Sequence, residues 1–177
     1  MGDLLIRPVT LADVGAINRI YGHSVLTETA SWELVPPDEA EIRRRMTALL
    51  DAGYPYFVAT LDDKLVGYSY ASSYRPRPGY RFVVEDSVYV DPAYQRQGIA
   101  RRLLSTVIDA CTARGSRQMI AVIGDSANHA SIALHQHLGF NHTVCLPSIG
   151  FRFGRWLDSV MMQRALSTGD TTLPEEP

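Results

Sequence analysis

The run Val83–Leu104, VVEDSVYVDPAYQRQGIARRLL, gathers residue types that can hold a charged ligand beside a reactive carboxylate. Its apolar part reads as a strand ending at Val90. Asp91-Pro92 then turns the chain, and a helix opens near Gly98, with Gln95-Arg96-Gln97-Gly98-Ile99-Ala100 in between. The first turn of a helix leaves backbone N–H groups without intrahelical partners, and the helix dipole adds partial positive charge there. A pyrophosphate is a natural ligand for such a terminus. Gly98 and Ala100 carry too little bulk to keep phosphate oxygens from the backbone, and Arg96, Arg101 and Arg102 add cations. The chain lacks GxxxxGK followed by Ser or Thr, which excludes a nucleoside-triphosphate loop, and no GxGxxG follows a strand, which argues against a Rossmann dinucleotide site. Upstream, Glu85 lies among Val83, Val84, Val88 and Val90, where desolvation would raise its pKa. Asp86 must point to the opposite face of an extended strand, and Ser87 returns to the face of Glu85.

Other polar residues have two readings each. Asn128 precedes a helix, where it is either a cap or an amide facing a ligand. His135 follows seven residues later, two helical turns on and so on a similar face. His129, His137 and His142 have no Cys or carboxylate at ligand spacing, so no metal site is expected. Arg75, Arg77 and Arg81 cluster among Pro76, Pro78 and tyrosines, either as a solvated loop or as a clamp for a carboxylate. Trp32, Tyr74 and Trp156 could wall a pocket, although aromatic residues commonly belong to the core.

The elements that must position these residues follow from the periodicity. A short strand is expected around Leu4–Arg7. Thr10 and Asp13 then stand at capping-box spacing before a helix with Val14, Ile17, Ile20 and Tyr21 on one face. Thr27–Glu33 reads as a loop. Pro36-Pro37-Asp38 starts a second helix with Ile42, Met46, Leu49 and Leu50 inward and Gly53 as its stop. Tyr56–Leu61 and Leu65–Tyr74 flank the turn Asp62-Asp63-Lys64, and Phe82–Val90 is a third strand of this group. A helix from about Gly98 to Arg114 turns Leu103, Leu104, Val107, Ile108 and Cys111 inward. The strand Gln118–Ile123, the helix His129–Leu138 and the strands Phe140–Leu146 and Trp156–Arg164 complete the set. This order makes a mixed α/β fold with one central sheet. Residues 1–166 are expected to form a single domain, and 167–177, which include STGDTTLPEEP, a flexible C-terminal tail.

Bulk properties narrow the function classes. A chain of 177 residues, 46% hydrophobic and 20% charged, can bury a core without metal or disulfide support. A formal net charge of −2 does not suggest a nucleic-acid-binding protein. The start MGDLLIRPVT lacks a signal-peptide pattern, and no apolar run approaches the ~18 residues of a membrane span. A cytoplasmic setting, with neither nucleic acid nor membrane as partner, is the expectation.

The loop QRQGIA resembles the Q/R-x-x-G-x-G/A acetyl-CoA signature of the GNAT superfamily of N-acetyltransferases. Asn128 at a helix start and His135-Gln-His-Leu-Gly-Phe140, similar to the family's LH-x-x-LGF ending, extend the resemblance over about residues 5–166. The pieces VEDSVYV (84–90), AVIGDSANHASIALH (121–135), FGRWLD (153–158), RIYGHSV (19–25) and TASW (29–32) look like the phosphinothricin and methionine sulfone/sulfoximine acetyltransferase branch. Ala100 stands where the branch often has Gly, and Phe153 where phosphinothricin enzymes often have His. The resemblance implies a GNAT-type acyl-CoA N-acyltransferase fold, with a mostly antiparallel sheet splayed in the middle and flanked by helices. It also implies acetyl-CoA as co-substrate, a small amino-acid-like amine as acceptor, no metal, and a homodimer.

Site roles follow from the same resemblance. An α-amino group with a pKa of about 7.7–8.0 is largely charged at neutral pH, so a base must free it. Glu85 is the expected base and Asp86 the alternative. His135, where many members place a Tyr, would protonate the departing thiolate or serve as a second base. The backbone of Val88, Tyr89 and Val90 would bond the pantetheine arm, Asn128 its amides, and the loop Gln95–Arg101 the pyrophosphate. Trp32, Arg75, Pro76 and Arg77 would meet the acceptor together with Glu85, Asp86 and Ser87, Arg75 holding its carboxylate. Cys111 and Cys145 lack an activating motif, so direct transfer is expected rather than an acetyl-cysteine. Acetylation of a peptide amino terminus and non-catalytic acetyl-CoA binding are the alternatives.

Overall fold

Apolar periods of two and of three to four residues divide the chain into strands and helices, which a computed structural model describes over residues 3–174. The elements are β1 (Leu4–Pro8), α1 (Val14–Thr27), α2 (Glu39–Asp51), β2 (Tyr56–Leu61), β3 (Lys64–Ser73) and β4 (Val83–Val90). They continue with α3 (Ile99–Ala113), β5 (Gln118–Gly124), α4 (His129–His137), β6 (His142–Arg152) and β7 (Arg155–Ala165). One sheet runs β1-β2-β3-β4-β5-β7-β6. Its pairings are antiparallel except β4–β5, which is parallel.

Helices cover both faces. On one side, Val14, Ile17 and Ile20 of α1 and Ile42 and Met46 of α2 bury themselves against Tyr56, Val58 and Tyr68. On the other, Leu104, Val107, Ile108 and Cys111 of α3 pack with Val84, Met119, Ala121 and Met162, and Ile132, Leu134 and Leu138 join them from the α4 region. Leu50, expected in the stripe of α2, is instead 39% exposed.

The β4–β5 pairing is short. It runs only from Val83↔Gln118 to Glu85↔Ile120. Beyond it β4 stays with β3 as far as Val90↔Gly67, while β5 follows β7 as far as Gly124↔Ser159. The sheet therefore splits immediately after Glu85.

Three boundaries differ from the periodicity. The β2–β3 turn is Asp62-Asp63 alone, both at positive φ, and Lys64 already pairs with Leu61; aspartate is among the side chains that tolerate this region. Strand β6 extends to Arg152 rather than ending at Leu146, with an irregularity between Leu146 and Gly150. The extension contains Pro147, and β6 is an edge strand, where a missing N–H is tolerated. Part of the expected tail is anchored: Arg117 donates to the carbonyls of Gly169 (2.8 Å) and Thr172 (2.5 Å). The end of that tail, 175–177, lies outside the described residues.

Candidate active site

Two adjoining cavities occupy the split. The inner one, about 370 Å³, is bordered by Glu85–Tyr89 of β4, Ala121–Ile123 of β5, Ala30–Glu33 after α1, Tyr21, Asn128, Ser131 and His135. The outer one, about 650 Å³, runs from Val88–Val90 to the start of α3 and is also bordered by Thr27–Ala30, Asp125, Ala127–Asn128, Leu134 and Arg155. Ala30, Val88, Tyr89, Asn128 and Ser131 border both.

At the outer cavity, Gly98 caps α3 at φ +77°, a left-handed conformation that glycine adopts without steric cost. The first intrahelical bond runs from the Arg102 N–H to the Gly98 carbonyl (3.1 Å), so the N–H groups of Ile99, Ala100 and Arg101 have no intrahelical acceptor. Gln95, Arg96, Gly98, Ile99, Ala100 and Arg101 all line this cavity. Gln97, also expected at the cofactor, is exposed and does not line it. Arg155 also lines it and is paired with the buried Asp125 (2.7 Å). A loop ending in free N–H groups with three arginines around it fits a pyrophosphate. The edge of β4 that has parted from β5 offers backbone groups to an amide-bearing arm.

At the inner cavity the alternation of β4 separates its carboxylates. Tyr89 packs on the α1 face and Val84 on the α3/α4 face, so Glu85 and Ser87 share the first face and Asp86 the second. Burial, assisted by the neighbouring Asp86 charge, pushes the Glu85 carboxyl up to about 7. Asp86 is buried, and its Oδ2 lies 3.1 Å from His135 Nε2. His135 Nδ1 lies 2.7 Å from the Ser131 carbonyl oxygen, which can only accept, so Nδ1 carries a proton. A second proton on Nε2, donated to the Asp86 carboxylate, would make the ring an imidazolium. Burial opposes that charge, but Asp86 and the Ser131 carbonyl outweigh it and raise the His135 pKa above its ordinary value.

Asn128 is a helix cap that also faces the cavities. Its Oδ1 accepts the Ser131 N–H (3.2 Å) as a helix cap, its Nδ2 donates to the Gly124 carbonyl (3.3 Å), and it borders both cavities.

Trp32 lines the inner cavity, but Arg75, Pro76 and Arg77 do not. They are exposed on the loop beyond the β3–β4 ladder, and the Arg75 guanidinium lies over the rings of Tyr74 (5.1 Å) and Tyr80 (5.9 Å). The loop follows the ladder past Ser73↔Val84, away from the split that begins after Glu85. Trp156 is 64% exposed and lines neither cavity.

Sequence reasoning missed several lining residues. Tyr21, taken as part of the apolar stripe of α1, donates to Glu33 Oε1 (2.8 Å) and is linked to Ser31 Oγ (2.9 Å). Burial, with Glu33 nearby, pushes the Tyr21 hydroxyl up to about 12. Glu33 is also paired with Arg45 (2.5 Å). Arg155 sits inside the FGRWLD piece, whose spacing alone does not connect it to a cavity on β4.

Comparison with known proteins bears on this geometry. The family model described as the Acetyltransferase (GNAT) family matches residues 17–140. The chain is 54% identical over 170 residues to a phosphinothricin N-acetyltransferase of Alcaligenes faecalis, covering 96% of this chain and 86% of that protein. It is 40% identical over 163 residues to an L-methionine sulfoximine/L-methionine sulfone acetyltransferase of Salmonella typhimurium, covering 92% of this chain and 95% of that protein. A crystal structure of a GNAT superfamily phosphinothricin acetyltransferase from Sinorhizobium meliloti, in complex with acetyl-CoA, superposes at a TM-score of 0.95 with 45% identity. That match covers 98% of this chain and 94% of the other.

Proposed function

Because this chain belongs to the acetyltransferase (GNAT) family, we propose that it transfers the acetyl group of acetyl-CoA directly to the amino group of a small amino-acid-like molecule of the methionine sulfone, methionine sulfoximine or phosphinothricin type. The observation that carries the reading is Glu85. It sits where the sheet opens, lines the inner cavity, and ionises at about 7.

When bound, acetyl-CoA supplies a thioester carbonyl that a neutral amine can attack. The N–H groups at the start of α3, with Arg96 and Arg101, hold its phosphates, and the free edge of β4 at Val88–Val90 and Asn128 orient its amide arm. Glu85 takes the proton of the acceptor's ammonium, directly or through one water. A carboxylate ionising near the working pH is a stronger base than an ordinary one and is still substantially deprotonated. Trp32, Tyr21 and Glu33 bound the acceptor's side of the cavity. His135 can deliver a proton to the departing sulfur only by releasing its bond to Asp86, so the Asp86–His135 pair first of all joins β4 to α4 across the split.

Among the described residues that line the inner cavity there is no arginine or lysine. For an acceptor carboxylate we therefore assign a cation from outside this lining, Arg75, which follows Ser72, the partner of Glu85, on the continuation of β3. Arg75→Ala should raise the acceptor KM about tenfold or more while leaving the acetyl-CoA KM near wild type. Equal KM values in the two enzymes would remove Arg75 from the site.

A homodimer and a cytoplasmic setting belong to the same reading. Val144, Leu146, Ile149, Phe151, Phe153 and Trp156 expose apolar area on the β6–β7 hairpin, which a second copy would cover. Cys111 and Cys145 are unpaired thiols, in keeping with a reducing compartment.

The test of the function is acetyl-CoA-dependent thiol release over a panel of amino acids, their sulfone, sulfoximine and phosphinic analogues, and short peptides. Turnover confined to the amino-acid analogues is expected. Turnover confined to peptides, or none with any amine, would overturn it.

A further inference from the structure

Helix α1 ends at Thr27, and a helix end leaves its last carbonyls without intrahelical donors. Here a side chain from the far end of the chain meets them. Arg152, at the end of β6 and 5% exposed, donates to the carbonyls of Val25, Glu28 (3.1 Å) and Ser31. A cation at a helix C-terminus is favourable, and the planar guanidinium can reach several acceptors at once. Its three acceptors span the end of α1 and the segment that follows, and Ala30–Glu33 of that segment border the inner cavity.

The same strand sets Trp32. A Cβ built on Gly150 would lie 2.0 Å from the Trp32 ring, and one on Gly124 would lie 3.0 Å from it. Glycine at both positions lets the indole lie directly against β6 and β5, with its remaining surface on the inner cavity. Thr29 Oγ1 completes the tie by donating to the Gly124 carbonyl (2.6 Å).

We propose that Arg152 is a positioning residue for acceptor binding: through three backbone carbonyls it fixes the 28–33 segment, and with Gly150 it fixes the Trp32 indole that bounds the acceptor cavity. The inference rests on the acetyltransferase reading for its kinetic consequence but not for its structural one. Arg152 touches neither cavity, so its effect on the reaction must pass through the segment it holds.

The experiment has a kinetic arm and an optical arm. Arg152→Met keeps the length of the apolar stem but removes every donor. It should raise the acceptor KM at least tenfold and by a larger factor than the acetyl-CoA KM. Arg152→Lys, which keeps the charge and fewer donors, should recover part of the loss. Gly150→Ala removes no bond and only presses on Trp32, which lines the inner cavity alone. It should raise the acceptor KM and leave the acetyl-CoA KM within about twofold, and it carries the test if Arg152→Met does not fold. For the optical arm, the chain has two tryptophans, Trp32 and Trp156. In a Trp156→Phe background the emission is that of Trp32, and both Arg152→Met and Gly150→Ala should increase its quenching by acrylamide. Unchanged quenching in folded variants overturns the strap, whatever the enzyme acetylates. Changed quenching with an unchanged acceptor KM overturns its role in acceptor binding. If the unmodified protein acetylates no amine, the acetyltransferase reading and the kinetic role fail together, and the optical arm still decides whether Arg152 holds the segment.

Discussion

Glu85→Gln should lower kcat about 10²–10⁴-fold near neutral pH, the range a positioned general base supplies. The amide keeps the size of the side chain and most of its hydrogen bonding but has no basic oxygen. In the native chain, burial and the Asp86 charge place the Glu85 ionisation at about 7. The active form is the carboxylate, so kcat/KM should fall as pH drops through about 7 and rise toward a plateau above it. In Glu85→Gln that inflection should vanish, leaving the ionisation of the amine itself. Activity should then recover partly at high pH, where the acceptor arrives neutral. Acetyl-CoA affinity should hardly change, since the start of α3 and the β4 backbone are untouched. A pH–rate profile of both enzymes checks this. Near-normal turnover at pH 7 in folded Glu85→Gln would remove Glu85 as the base.

Gly98→Val should weaken acetyl-CoA binding about tenfold or more without unfolding the protein. A Cβ at Gly98 meets no atom within 4 Å, so no clash with the protein is involved. Two other effects act. At φ +77° a β-branched residue is strained by about 1–3 kcal/mol, which the loop can relieve by rotating its N–H groups away from the phosphate position. The added side chain also projects from a residue that lines the outer cavity. Calorimetric titration with acetyl-CoA, beside a thermal melt, separates these effects from a folding defect. Unchanged affinity in a folded variant would remove the phosphate role from the loop.

Local sequence determined much of this protein. Valine-rich β4, the Gly98 loop and the apolar face of α3 are contiguous, so their order and the alternation of Glu85 and Asp86 could be read from the one-dimensional pattern, and the family motif lies in the same stretch. Asn128 and His135 were legible because two helical turns separate them. Tertiary structure alone decided what meets across the sheet. The split after Glu85 depends on how far β4 follows β3 and β5 follows β7, and strand registers between distant segments leave no local signal. Asp86 meets His135 only because α4 packs over that split. For Arg75 the one-dimensional pattern supplied charge and neighbours, and only the fold decided where its loop leaves the β3–β4 ladder and that its guanidinium lies over Tyr74 and Tyr80. Arg152 and Gly150 lay between the expected strands Phe140–Leu146 and Trp156–Arg164, with no role suggested by their neighbours. Their contacts with the segment after α1 cross more than a hundred positions of sequence, a separation over which only the folded chain specifies partners.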